Sequence, residues 1–522
     1  MSSHAPGWML LAAALLLAHG HLPLARAADL GPLVWGANIH FSGGGLPGEV
    51  EQIARAIKIV RMDFGWGSTE RTKGVYDFSA FDELLGNMSS QGVRNYWILD
   101  YGNALYTNDS NTAPATDEAI QAFAKWSAAA MTHFQGHNVI WELYNEPNIP
   151  TQSQYASGVG AWFPYANATT YMRLYHAVMS AKTAAGKSAA PLSFTLARLF
   201  QSCDLICVGT DPGLDDVSLV APASAGIPTD FLVACFEQGM LDTVDGVSLH
   251  PYRAETPETV MADYAALRAL MKNYTSRDVP LISGEWGYST CANATTQEPM
   301  ICNHGAYTGQ NTLRGQAKFL VRQWLINALE SIPVSIYYDW RNGGGDTTEG
   351  EQNFGITYSN YNNASLPFVP KPAYTAAVVL QEQINSSTFS TRIDAFNTSG
   401  GEPDSNAFAL AFAGGDKLAS DLNFVIKCMR VCVCVGGGGG GGISEQQCVA
   451  RGCCYLPDQT AHPWCNFPGI GNFSGSISFT TSANTTYSRV SMLGEKLDSV
   501  TTNSDGHVTV VVDDEPQYWT RT

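Results

Sequence analysis

From Leu33 to about Tyr374, short apolar runs alternate with segments whose apolar residues recur at helical spacing, the pattern of repeated strand–helix units around a parallel sheet. The runs predict strands at Val34 to Ile39, Ile59 to Phe64, Asn95 to Leu99, Val139 to Tyr144, Ser218 to Ala221, Gly246 to Leu249, Pro280 to Ser283 and Ser335 to Asp339. Between them, Phe81, Leu84, Leu85 and Met88 fall at i, i+3, i+4 and i+7, and Val260, Tyr264, Leu267 and Met271 make a comparable stripe. Each stripe gives a helix one face to lay on a sheet. Eight strands with covering helices predict an α/β domain over residues 28–375 that closes as a (β/α)8 TIM barrel. The stretch from Ser193 to Asp216 fits no repeat and reads as a loop insertion.

Beyond Ala376 the period changes to two, as in Val508, Val510 and Val512, which predicts a β-sandwich over residues 376–522. That domain is interrupted over residues 428–468. Gly436 to Gly442 can hold no fixed conformation, and a cysteine-dense stretch from Cys448 to Cys465 follows it. A translated intron would leave a similar run of Cys, Val and Gly.

The first 27 residues read as a signal peptide: Trp8 to Leu17 is too short to span a bilayer, and Ala25-Arg26-Ala27 is a small-x-small cleavage site. A secreted, extracellular, cell-wall or secretory-lumen protein is expected, with no stable membrane insertion. The twelve cysteines then read as disulfides, with Cys448, Cys453, Cys454 and Cys465 as the candidates in the dense stretch. Asn-x-Ser/Thr sequons begin at Asn87, Asn108, Asn167, Asn273, Asn293, Asn363, Asn385, Asn397, Asn472 and Asn484. A net charge of −18 without a Lys/Arg cluster argues against a nucleic-acid partner. Only 15% of residues are charged, and the abundant hydroxyls, amides and aromatics suit a neutral, hydroxyl-rich ligand such as carbohydrate.

The sharpest chemical signal is Trp141-Glu142-Leu143-Tyr144-Asn145-Glu146-Pro147-Asn148, an apolar strand running into a carboxylate. A period of two places Glu142, Tyr144 and Glu146 on one side of it, at the barrel end where such folds carry their chemistry. Pro280 to Trp286 repeats the arrangement with Glu285 at the strand end. Two carboxylates on two strand ends are what glycoside hydrolysis needs, one to protonate the leaving oxygen and one to attack the anomeric carbon. Arg61 reads either as a partner of the site or as a structural ion pair with Asp63 or Asp100. Trp340 reads either as a platform for a sugar ring or as filling of the barrel mouth. Glu142 reads as a buried hydrogen-bonded partner. His40 and His250 stand near strand ends without metal-ligand spacing, so no metal site and no cofactor are expected.

On those residues the segment Trp141 to Asn148 resembles the Asn-Glu-Pro motif of glycoside hydrolase clan A, and the stretches around Asn38, Arg61 and Asp100 are most similar to family 39 and some family 5 enzymes. The resemblance covers about Leu33 to Tyr374 and implies a retaining O-glycoside hydrolase acting on β-linked oligosaccharides, polysaccharides or glycoconjugates. It implies Glu146 as acid/base and Glu285 as nucleophile, with Arg61, Asn145, His250, Tyr252 and Trp340 as substrate-binding or supporting residues. Arg61 and Tyr252 would hold Glu285 ionised. A transglycosidase, or a glycan-binding or wall protein that has lost turnover, would share the same fold. The stretch Cys448-x4-Cys453-Cys454-Tyr455 with Cys465 after Trp464 resembles the C-terminal half of a trefoil (P-type) domain, whereas Cys428, Cys432 and Cys434 depart from that pattern.

Overall fold

A computed structural model describes Leu30 and residues 33–149, 166–188, 213–296, 298–300, 302, 312–358, 369–384, 388–397, 403–413, 423–428, 454–455, 465–466, 474–513 and 515–521. The expected signal peptide, most of the Ser193 to Asp216 insertion, the glycine run and the candidate residues Cys448 and Cys453 lie outside the described residues. The last four residues of that insertion, Gly213–Asp216, form a turn of 3-10 helix.

Eight parallel strands close into a barrel in chain order. They are β1 (Val34–Asn38), β2 (Ile59–Gly65), β3 (Arg94–Asp100), β4 (Ile140–Leu143), β5 (Ser218–Ala225), β6 (Gly246–His250), β7 (Leu281–Trp286) and β8 (Val334–Tyr337). The helices that follow them are α1 (Glu49–Ala56), α2 (Ser79–Ser90), α3 (Asp117–His133), α4 (Ala168–Ser188), α5 (Thr229–Glu237), α6 (Val260–Met271), α7 (Leu313–Leu329) and α8 (Pro372–Ile384). The predicted stripes are the packing faces: Phe81, Leu84, Leu85 and Met88 are buried on α2, and Val260, Tyr264, Leu267 and Met271 on α6. Thr116 and Thr312 start α3 and α7 by accepting a hydrogen bond from the backbone three residues on.

The barrel interior is layered. Leu30, Ile59, Tyr96, Ile140, Val220, Ile282, Val334 and Ile336 make an apolar floor. Period two then sends Arg61 and Glu142 inward one layer above Ile59 and Ile140, so a buried charge pair stands on that floor.

The period-two segment beyond the barrel forms antiparallel sheets. Eight strands pair as one sheet in the order β16-β15-β18-β11-β10-β9-β14-β17: β9 (Thr388–Asn397), β10 (Pro403–Ala413), β11 (Asn423–Cys428), β14 (Ser474–Thr480), β15 (Thr486–Ser491), β16 (Val500–Thr501), β17 (His507–Asp513) and β18 (Gln517–Arg521). Leu410, Phe412, Met492 and Tyr518 of this part join the same apolar cluster as the barrel helices. Between β11 and β14, the short strands β12 (Cys454–Tyr455) and β13 (Cys465–Asn466) pair antiparallel, bringing the backbones of two candidate cysteines together.

Candidate active site

The barrel's C-terminal strand ends gather Asn38, Arg61, Asn145, Glu146, His250, Tyr252 and Glu285. Arg61 organises them. It is fully buried, and its Nε donates to Glu142 Oε2 at 2.6 Å, one terminal nitrogen to Glu285 Oε2 at 2.6 Å, and the other to Asn145 Oδ1 at 2.9 Å. Its ion pairs are with Glu142 and Glu285 rather than with Asp63 or Asp100.

Glu142 is the buried partner expected. Its other oxygen accepts from Tyr96 at 2.6 Å and from the Ser248 hydroxyl, so both oxygens of this carboxylate are engaged. Gly284 makes room for that arrangement, since a Cβ there would overlap the Ser248 hydroxyl and press on Glu142.

Arginine only donates, so the 3.2 Å contact from Arg61 to His250 Nε2 makes that ring nitrogen the acceptor. The ring proton then sits on Nδ1, which faces Glu146 Oε1 at 2.9 Å and donates to it. His250 therefore orients Glu146 through Oε1.

Glu285 receives three donors: Arg61, the Tyr252 hydroxyl at 2.8 Å on Oε1, and the Asn38 amide at 3.2 Å on Oε2. Burial pushes its carboxyl up, but Arg61 and the Tyr252 hydroxyl help to outweigh that, and the group is held below the ordinary glutamate value. Oxygen atoms of Glu146 and Glu285 and a ring nitrogen of His250 lie within 4.8 Å of one another. The same three residues make a donor set that a metal ion could occupy in principle. Their hydrogen bonds to Arg61 and Tyr252 instead present one carboxylate with cationic and hydroxyl donors.

Two local irregularities place these acids, and both depart from the expected alternation. Strand β4 ends at Leu143, and Tyr144 and Glu146 adopt φ of 62° and 47°. Tyr144 is fully buried, its ring set edge-on against that of Tyr101. Glu146 is fixed from the neighbouring strand, where its N–H donates to Ala223 O at 3.0 Å at the irregular part of β5. Asn148 reinforces this by exchanging two hydrogen bonds with the Ala225 backbone. On β7 the register shifts between Ser283 and Trp286, so the consecutive residues Gly284 and Glu285 both face the interior.

Trp340 packs as filling, the second of its two readings. It is 1% exposed, its indole N–H donates to Glu49 Oε1 at 2.9 Å, and its ring meets Tyr374 of α8. A ring packed outward in this way offers no face to the cleft, so it fills the barrel wall. The half-buried aromatic at the cleft end of β8 is Tyr338, whose ring meets His40, Tyr252 and Phe354. Sequence reasoning also missed Asn38 as a donor to Glu285, and Tyr96 and Ser248 as partners of Glu142. Inward parity on β3 and β6 is the signal that would have found the last two.

Residues 51–175 match the family model Cellulase (glycosyl hydrolase family 5), and residues 433–468 match the trefoil (P-type) domain. No curated protein sequence matches the chain. Among solved structures, a family 39 glycoside hydrolase from the gut symbiont Bacteroides cellulosilyticus WH2 is similar at 18% identity and TM-score 0.61, over 94% of this chain and 81% of that one. A family 39 β-xylosidase from Caulobacter crescentus (13% identity, TM-score 0.52, 95% and 98% covered) and a family 30 subfamily 8 xylanase from Clostridium acetobutylicum (12%, 0.52, 95% and 97%) are similar as well. The chain thus has one segment that matches the family 5 model and one that matches the trefoil model, and its fold is similar to that of solved glycoside hydrolases of families 39 and 30.

Proposed function

We propose that the protein is a retaining O-glycoside hydrolase that cleaves β-linked glycosides by double displacement. The observation that carries this reading is the Glu146–Glu285 pair, with carboxyl oxygens within 4.8 Å, near the 5–5.5 Å separation typical of retaining enzymes and short of the wider gap that inversion needs for a water. The surroundings of Glu285 favour the charged form that the chemistry requires of a nucleophile. Glu285, held ionised by Arg61, Tyr252 and Asn38, attacks the anomeric carbon, and the aglycone oxygen leaves with a proton from Glu146. Water then enters, Glu146 takes its proton, and the oxygen displaces Glu285 from the sugar with a second inversion. Asn145 has its carbonyl engaged by Arg61, which directs the amide donors toward the sugar 2-hydroxyl. Tyr338 supplies the aromatic wall that Trp340 does not.

The same reading places the protein outside the cell. A disulfide links Cys291 to Cys302, as suits an oxidising compartment, and the sequon asparagines Asn108, Asn167, Asn273, Asn293 and Asn484 are exposed. Among the described residues no helix is long and apolar enough to cross a membrane. The direct test is proton NMR of the first-formed product from an aryl β-glycoside. Retention gives the β-anomer first, and an α-anomer would overturn the mechanism.

A further inference from the structure

The barrel buries one carboxylate that charge balance does not ask for. Glu285 alone answers the charge of Arg61, yet Glu142 pairs with the same guanidinium, and the side chains of Arg61 and Glu142 are both fully buried. Burying an extra carboxylate is costly, and stability by itself is served as well by a side chain without charge. Four other strands nevertheless build its seat. Arg61 of β2 holds Oε2 at 2.6 Å, Tyr96 of β3 and Ser248 of β6 donate to Oε1, and Gly284 of β7 leaves the space in which they meet. Because the guanidinium is a rigid planar fork, fixing its Nε edge on Glu142 also fixes where the two terminal nitrogens point.

The first step of the proposed reaction changes what Arg61 faces. An electron pair of the Glu285 carboxylate forms the bond to the anomeric carbon, the bond to the aglycone oxygen breaks, and that oxygen takes the proton of Glu146. The negative charge has then moved from Glu285, now an ester, to Glu146, which meets Arg61 through the His250 ring. With Glu285 as its one anion, Arg61 would be stranded as a buried cation, a strongly disfavoured state. Glu142 keeps it paired throughout.

Resting on the hydrolase reading above, we propose that Glu142 is a positioning residue for the reaction, a standing counter-ion that aims the Arg61 fork and keeps it paired while Glu285 gives up its charge to the sugar. Sharing Arg61 between two carboxylates also leaves Glu285 less tightly held than an exclusive pair would, and so a better nucleophile.

Two measurements test this. Glu142→Gln removes the charge and keeps the shape, and because the Tyr96 and Ser248 hydroxyls accept as well as donate, the amide can meet the same neighbours. In a denaturant-unfolding cycle, Glu142→Gln and Glu285→Gln each leave Arg61 one carboxylate, and the double variant leaves none. The expected loss of unfolding midpoint in the double variant exceeds the two single losses taken together. In kcat/KM against pH on an aryl β-glycoside, Glu142→Gln gives Arg61 wholly to Glu285, so the acidic limb moves about one pH unit lower and the plateau falls about tenfold or more. Glu142→Asp, which retains the charge, is expected to recover part of the plateau and to return the limb toward its wild-type place. Loss of a brace that only kept the site in shape would instead loosen Arg61 from Glu285, and the limb would move up or not at all. That result, additive losses in the cycle, or a Glu142→Gln chain that fails to fold where Glu285→Gln folds, overturns the proposal. If the wild type cleaves no glycoside, the hydrolase reading falls by itself, and the unfolding cycle still decides whether Glu142 is a second counter-ion of Arg61.

Discussion

The Tyr252 hydroxyl donates to Glu285 Oε1 at 2.8 Å, on the side of the carboxylate opposite the oxygen that Arg61 engages. The hydroxyl is therefore a second, independent support for the ionised form of Glu285. Tyr252→Phe removes it without removing the ring that packs on Tyr338 and Phe354. A carboxyl that has lost a donor to its charged form titrates higher, so the acidic limb of kcat/KM moves to higher pH. The expected loss at the optimum is about 10- to 100-fold. A pH profile with an unmoved acidic limb would show that Arg61 alone holds Glu285 ionised.

The two central glutamates are expected to fail differently. Glu285→Ala abolishes turnover of every substrate, since no glycosyl intermediate can form. Glu146→Ala retains the first step on an aryl glycoside whose leaving group needs little protonation, and stalls at the intermediate. Azide, which attacks without a general base, then restores activity and yields a β-glycosyl azide. Rescue of Glu285→Ala with the retained β-azide, and of Glu146→Ala with the inverted one, would exchange the roles.

The ion pair inside the barrel makes a stability prediction. Arg61→Leu leaves Glu142 buried with only the Tyr96 and Ser248 hydroxyls to answer its charge, and the expected cost is about 3–5 kcal/mol. Arg61→Leu combined with Glu142→Leu removes both charges and is expected to be less damaging than the single change. Denaturant unfolding of the three variants checks the order.

His40 gives a pH-dependent term of definite sign. Asp339, against the opposing effect of burial, raises the imidazole from its ordinary 6.5 to about 9. A group raised on folding stabilises fully below its unfolded value and loses that contribution as pH climbs through the folded one. His40→Asn is therefore expected to lower the melting temperature at pH 6 and to have little effect near pH 10. Equal losses at both values would mean that packing, not the charge pair, holds this corner.

Much of this architecture is legible in the sequence because barrel strands are short apolar runs and each run survives as a strand. The site is legible only where chemistry is tied to a motif. Glu146 and Glu285 stand out as acids closing apolar runs, and both reach the cleft, yet neither arrives there by the simple alternation that pointed to it. The positive φ values at Tyr144 and Glu146 and the register shift before Trp286 redirect side chains by local backbone geometry, which residue spacing does not encode. The same limit explains the exchange of Trp340 for Tyr338. Two aromatics two residues apart look equivalent on a strand end, but the strand stops at Tyr337, and beyond it only the folded backbone decides which ring faces inward. His40 with Asp339 and Asn38 with Glu285 are separated by hundreds of positions, and no local pattern announces them.

The clasp between Asn148 and the Ala225 backbone, with Glu146 N–H on Ala223, separates two properties that a single loop would otherwise couple. The backbone at Glu146 is anchored by strand β5, and its carboxyl is aimed by His250 at the end of β6. The place of the acid and its aim are thereby set by two different strands, and a substitution can alter one without the other.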